Sequence, residues 1–139
     1  MPIQVGGNVQ PTGQVDQLRT FALAFTGGAG SSGVFASMAN PEGQTFIITH
    51  ATLRITTQST GASTLDIGIA ADATTSNDGI IDGLSGASAG IFSNIVAATA
   101  GTNGRPAIVW GASQYLNIAE ASGDVAALVG TLYVSGFFV

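Results

Sequence analysis

TFIITHATLRITTQSTGASTLDIGIAA, residues 45–71, decides the fold class. Leu65, Ile67 and Ile69 alternate with Asp66, Gly68 and Ala70, the period of two expected of a strand with one face in a core. Leu53 and Ile55 alternate in the same way with Thr52, Arg54 and Thr56, and β-branched residues suit a pleated, half-buried surface. The intervening Gln58–Ser63 is polar and contains Gly61, so the stretch predicts two strands joined as a hairpin, with Ile67 in the core. The apolar parity changes within the first strand. Phe46 and Ile48 are even-numbered whereas Leu53 and Ile55 are odd-numbered, and one flat strand cannot send both pairs to one face. A β-bulge or sharp bend near Thr49 to Ala51, at a corner between two sheets, would reconcile them. His50 sits at that point. With no second His, Cys or Ser dyad beside it in sequence, it reads as a hydrogen-bonded structural residue.

Working outward, Phe21, Leu23 and Phe25 alternate with Ala22 and Ala24, a core strand whose other face is small enough to lie close under a second sheet or subunit. GGAGSSG (27–33) is a loop, Gly33–Met38 a short strand, and Asn40-Pro41-Glu42-Gly43 a turn with Pro where φ is preset and Gly where φ is positive. Ser85–Thr102 reads as a long Gly/Ala/Ser connection holding one helical turn or strand. Asn103-Gly104 is a turn, and Ala107–Trp110 and the alternation around Leu116 and Ile118 give further strands. Trp110, the single tryptophan, fits a core or interface better than a sugar-stacking platform. In Val125–Val139, Leu128, Leu132, Val134 and Phe138 share one parity, and Val129, Tyr133, Phe137 and Val139 the other. Both faces of this last strand are apolar, so it is central or covered by a partner.

A chain of 139 residues suffices for one domain. Twenty glycines and no sustained helical stripe leave seven or eight strands, an antiparallel β-sandwich, all-β and of jelly-roll type, over residues 17–139. Residues 1–16 have no periodicity and read as an extended N-terminal arm. An open barrel is the second architecture.

Only 8% of the residues are charged, against about 25% in ordinary domains, and lysine is absent. So uncharged a surface fits burial by partners; the plainer reading is a neutral, Thr/Ser-rich sandwich that is simply soluble. A net charge of −5 with three scattered arginines (Arg19, Arg54, Arg105) argues against nucleic-acid binding. Cysteine is absent, which excludes disulfides and thiolate sites. MPIQVGGNVQ lacks the pattern of a secretory signal, and the uncharged tract 20–41 is broken by GGAGSSG, so no membrane partner is expected.

The only acidic cluster is DATTSNDGIIDG (72–83). Asp72, Asp78 and Asp82, with Asn77, are weak candidates for hard oxygen ligands to Ca²⁺. An EF-hand register with Gly79 in sixth place would put Thr74 first and Ser85 last, so Asx-turns closed by their own side chains are the better reading, and no metal or other cofactor is expected. Phosphate-loop, zinc and nucleophile-elbow motifs are absent, and the expectation is a non-enzyme without catalytic residues.

LDIGIAADATTSNDGIIDG (65–83), GTNGR (101–105) and GTLYVSGFFV (130–139) together resemble head decoration, or cement, proteins of tailed bacteriophages. That resemblance implies a jelly-roll virion structural protein, made in the host cytoplasm, that sits as a homotrimer on the capsid surface against the major capsid protein. Its arm would reach between capsid subunits. The alternative is a carbohydrate- or receptor-binding module of a phage tail or fibre, presenting Trp110, Tyr115 or Tyr133 on an exposed shelf.

Overall fold

The computed structural model describes residues 18–28 and 33–139. The predicted arm, and the centre of the GGAGSSG loop, lie outside these residues. The described residues form an antiparallel β-sandwich of nine strands: β1 (Arg19–Thr26), β2 (Gly33–Ala39), β3 (Phe46–Thr57), β4 (Ser63–Ala70), β5 (Ile81–Ser85), β6 (Gly90–Ser93), β7 (Ile108–Trp110), β8 (Tyr115–Gly123) and β9 (Val129–Phe138). One sheet has the order β1-β9-β3-β6, with β7 also paired to β3; the other has the order β2-β8-β4-β5. A single helical turn, α1 (Ala97–Ala100), lies between β6 and β7.

β3 and β4 do not form the predicted hairpin. They belong to opposite sheets, and 58–62 arches over one end of the core. The arch is held from outside: Ser59 N–H donates to Gly86 O at 2.9 Å and Thr60 N–H to Ala126 O at 2.9 Å. The physical reason lies in what the two strands must bury. Leu53 and Ile55 of β3 and Leu65 and Ile67 of β4 are all but sealed from solvent, and an arch lets the two apolar faces meet across the core. A hairpin would have set them side by side on one surface.

The parity change has the expected cause. The β3–β9 register slips between Ile48 and His50, so Thr49 is the extra residue of a bulge. Phe46 and Ile48 before it, and Ala51, Leu53 and Ile55 after it, all point inward. The strand does not turn a corner there, since it pairs with β9 on both sides of the bulge. What changes is its other neighbour, which is β7 along Phe46–Ile48 and β6 along Thr52–Ile55. Asn94 fills the gap between these two short strands.

Trp110 is fully buried, its Nε1–H donating to Gln114 O at 3.0 Å, and it packs edge-on against Phe21 and Phe46. Within the stretch read as an acidic loop, Ile80 and Ile81 are fully buried and Ile81 opens β5. The Ser85–Thr102 connection holds both a strand, β6, and the helical turn. At the 40–43 turn Asn40 Oδ1 accepts from the N–H groups of Glu42 and Gly43, and Gly43 has the positive φ, 64°, that the turn requires.

Candidate interaction face and end cleft

The outer surfaces of the two sheets differ. On the β2-β8-β4-β5 sheet the chain covers itself. The segment 71–80 folds back over β4 and β8, and Asn117, fully buried on β8, ties it down. Asn117 Nδ2 donates to Asp72 O and Thr75 O, both at 2.8 Å, while its Oδ1 accepts from Ser37 Oγ at 2.6 Å. Gly68 permits this closeness, because a Cβ there would run into the Asn77 side chain and backbone. Sequence reasoning missed Asn117, since an Asn in an alternating strand reads as solvent-facing.

The β1-β9-β3-β6 sheet has no such cover among the described residues. Its outward side chains form rows across the strands: Ala22, Tyr133, Thr52 and Ser93; then Ala24, Thr131, Arg54 and Ile91. A third row brings Phe137, Ile47 and Val109 together. Among the described residues Arg54 is the only charged side chain on this face. Every large apolar side chain that stands exposed among the described residues belongs to this sheet, to the residues flanking its strands, or to the segment after β6: Leu18, Ile91, Ile95, Val96, Val109, Val129, Tyr133 and Val139. The acids among the described residues lie elsewhere. Asp66, Asp82 and Glu120 are on β4, β5 and β8, Asp72, Asp78 and Asp124 on loops joining or leaving that sheet's strands, and Glu42 in the β2–β3 turn, where it pairs with Arg19 at 2.8 Å.

His50 faces outward on this sheet. Its Nε2 lies 2.8 Å from Ser93 Oγ and 3.4 Å from Thr52 Oγ1. The serine comes from 43 residues away, a partner that sequence spacing does not show. A nucleophilic serine also needs a base held by a third group and a pocket for the developing oxyanion. Here the pair sits on an open sheet face, and among the described residues no carboxylate bonds its ring, so a structural hydrogen bond is the fitting description.

The acidic segment is organised by its own turns and by Asn103. Asp72 Oδ1 accepts from the N–H groups of Thr74 and Thr75, both at 2.8 Å, and from Thr74 Oγ1 at 2.9 Å, while Oδ2 accepts from Thr75 Oγ1 at 3.0 Å. These bonds hold its carboxyl below the usual range, the Thr74 amide contributing most. Asn103 brings Asp78 and Asp82 together, its Nδ2 donating to Asp78 Oδ2 at 2.9 Å and its N–H to Asp82 Oδ2 at 3.0 Å. Asp66 is pushed up, mainly by burial and further by the charges of Asp82 and Asp78, although the Gly83 N–H opposes the shift. Among the described residues no three His, Asp or Glu side chains gather in a group that could hold a metal ion.

A cleft of about 380 Å³ opens at this end of the sandwich, lined mainly by the polar groups of Asn77, Asp78, Asn103, Arg105 and Gln114, with Ile69, Ile108 and Val109 beside them. The aromatic shelf of the alternative reading is not assembled. Trp110 is in the core, and Tyr115 and Tyr133 belong to opposite sheets. Among the described residues no helix is long and apolar enough to cross a membrane. No protein-family model, curated protein or solved structure matches this chain.

Proposed function

We propose that the chain is a non-enzymatic structural subunit of a virion that decorates and stabilises a phage capsid by packing against copies of itself and against the capsid protein. One observation carries this reading: among the described residues the exposed large apolar side chains gather on and beside one sheet, which bears no described acid on its outer face, while the other sheet is covered by its own loop. Like-charged copies repel least where acids are absent, and burying scattered Ile, Val and Tyr side chains there supplies the driving force for association. The strand orders β1-β9-β3-β6 and β2-β8-β4-β5, with connections that pass repeatedly between the sheets, support a jelly-roll reading. The sequence resemblance supplies the virion setting and the choice of three copies; closed symmetry is the usual outcome for such a face.

Sedimentation analysis of the intact chain tests this. The expected result is an oligomer at micromolar concentration that Thr131→Glu and Ala24→Glu, both on the outer face, convert to monomer. Deleting residues 1–16 is expected to leave the oligomer intact and to weaken co-sedimentation with capsid shells. A monomeric native chain, or an oligomer indifferent to both glutamates, overturns the assignment of this face.

A further inference from the structure

The end cleft is built from three loops that are cross-linked before any ligand arrives. Arg105 N–H donates to Gly79 O at 3.0 Å, and Asn103 clamps Asp78 and Asp82. Gln114 Oε1 accepts from Gly111 N–H at 2.7 Å and Asn77 Oδ1 from Gly79 N–H at 2.9 Å, so both amide planes are fixed. A site whose groups are held in this way loses little freedom on binding.

Subtracting those bonds leaves a specific set of groups with no partner among the described residues. Asp78 Oδ1 and Asn103 Oδ1 remain as acceptors, Asn77 Nδ2 and Gln114 Nε2 as donors. The Arg105 guanidinium has no ionic or hydrogen-bonded partner among the described residues. Acceptors and donors of both charge signs therefore line one concave surface, with Ile69, Ile108 and Val109 contributing a minor apolar part of its lining. An anion meets Asp78, and a simple cation meets Arg105. A hydroxyl group both donates and accepts, and a sugar ring carries several of them on one compact neutral frame. The volume lies in the range of about 300–1,000 Å³ typical of small-molecule sites.

We propose that this cleft binds a neutral sugar residue, whose hydroxyls donate to Asp78 and Asn103 and accept from Arg105, Asn77 and Gln114. The cleft adjoins the β7 edge of the β1-β9-β3-β6 face and shares Val109 with it.

The test is an NMR titration of the full chain with D-glucose, D-galactose, D-mannose, L-rhamnose and N-acetyl-D-glucosamine, with glycine as a zwitterionic comparator and CaCl₂ as a cation. At least one sugar is expected to saturate in the millimolar range and to shift the amide signals of Gly79, Asn103 and Arg105. Arg105→Ala and Asp78→Asn are each expected to weaken it about tenfold or more, the loss that follows when a charged hydrogen-bond partner is removed. An unchanged melting temperature for Arg105→Ala separates lost contact from lost fold. Saturation by glycine or Ca²⁺ alone, binding by none of the sugars, or sugar binding that survives both substitutions overturns the proposal.

Discussion

Asn94 stands in for a strand beside Ala51. Its side-chain Oδ1 accepts from Ala51 N–H at 2.8 Å, and its own N–H donates to Ala51 O at 3.1 Å, the paired bonding that a neighbouring strand residue would make. Its Nδ2 donates to Arg105 O at 2.8 Å, so one buried side chain closes the gap between β6 and β7 next to the Thr49 bulge.

Asn94→Ala removes both side-chain bonds and leaves the buried Ala51 N–H unpaired, a loss of about 2–4 kcal/mol. Urea denaturation measures it. A change below about 0.5 kcal/mol, the level of surface substitutions, would mean that water replaces the amide.

Ile67 is fully buried in the core of the β4 sheet. Truncation to alanine is expected to destabilise the fold by about 2–5 kcal/mol, the cost of losing buried methyl groups and leaving a cavity. Equal stability of Ile67→Ala and the native chain would place the opposite parity of β4 inside.

Gly68→Ala tests the loop that covers the second sheet. The new Cβ meets Asn77 Oδ1 and the Asn77 backbone, so β4 and the 71–80 segment must part, at a cost of about 1–3 kcal/mol. Amide exchange at Gly79, whose N–H is bonded to Asn77 Oδ1, should accelerate in the variant. Unaltered protection there would show that the segment does not depend on this contact.

Asp72 gives a pH dependence with a definite sign. Its folded-state pKa is lowered by hydrogen bonds from Thr74 and Thr75, so the native state binds fewer protons than the unfolded chain. Its contribution is therefore present above the ordinary carboxylate pKa of about 4 and is lost as pH falls through the lower folded value. Asp72→Asn is expected to melt below the native chain at pH 7, with the gap closing as the pH falls through and below that range. A gap that stays constant with pH would assign the effect to the Asn substitution itself and not to the charge.

The alternation of Leu65, Ile67 and Ile69 and of Phe21, Leu23 and Phe25 marks strands because side-chain direction along a strand is a local, period-two property. The bulge at Thr49 is legible for the same reason: two parities that must share one face need an extra residue between them. The two apolar parities of β9 foretell its central place between β1 and β3, and the described residues of the single chain cover only the face bearing Leu132, Val134 and Phe138. Partner choice among strands is not local. β3 and β4 are neighbours in sequence yet lie in opposite sheets, since their apolar faces bury more against each other across the core than side by side. Ile80 and Ile81 hide inside an acidic segment, and Asn94 and Asn117 become buried linchpins only because distant backbone groups arrive to bond them. The same holds for the cleft. Asp78, Asn103, Arg105 and Gln114 are loop residues with no shared pattern, and it is the closure of three connections at one end of the sandwich that brings them to a single surface.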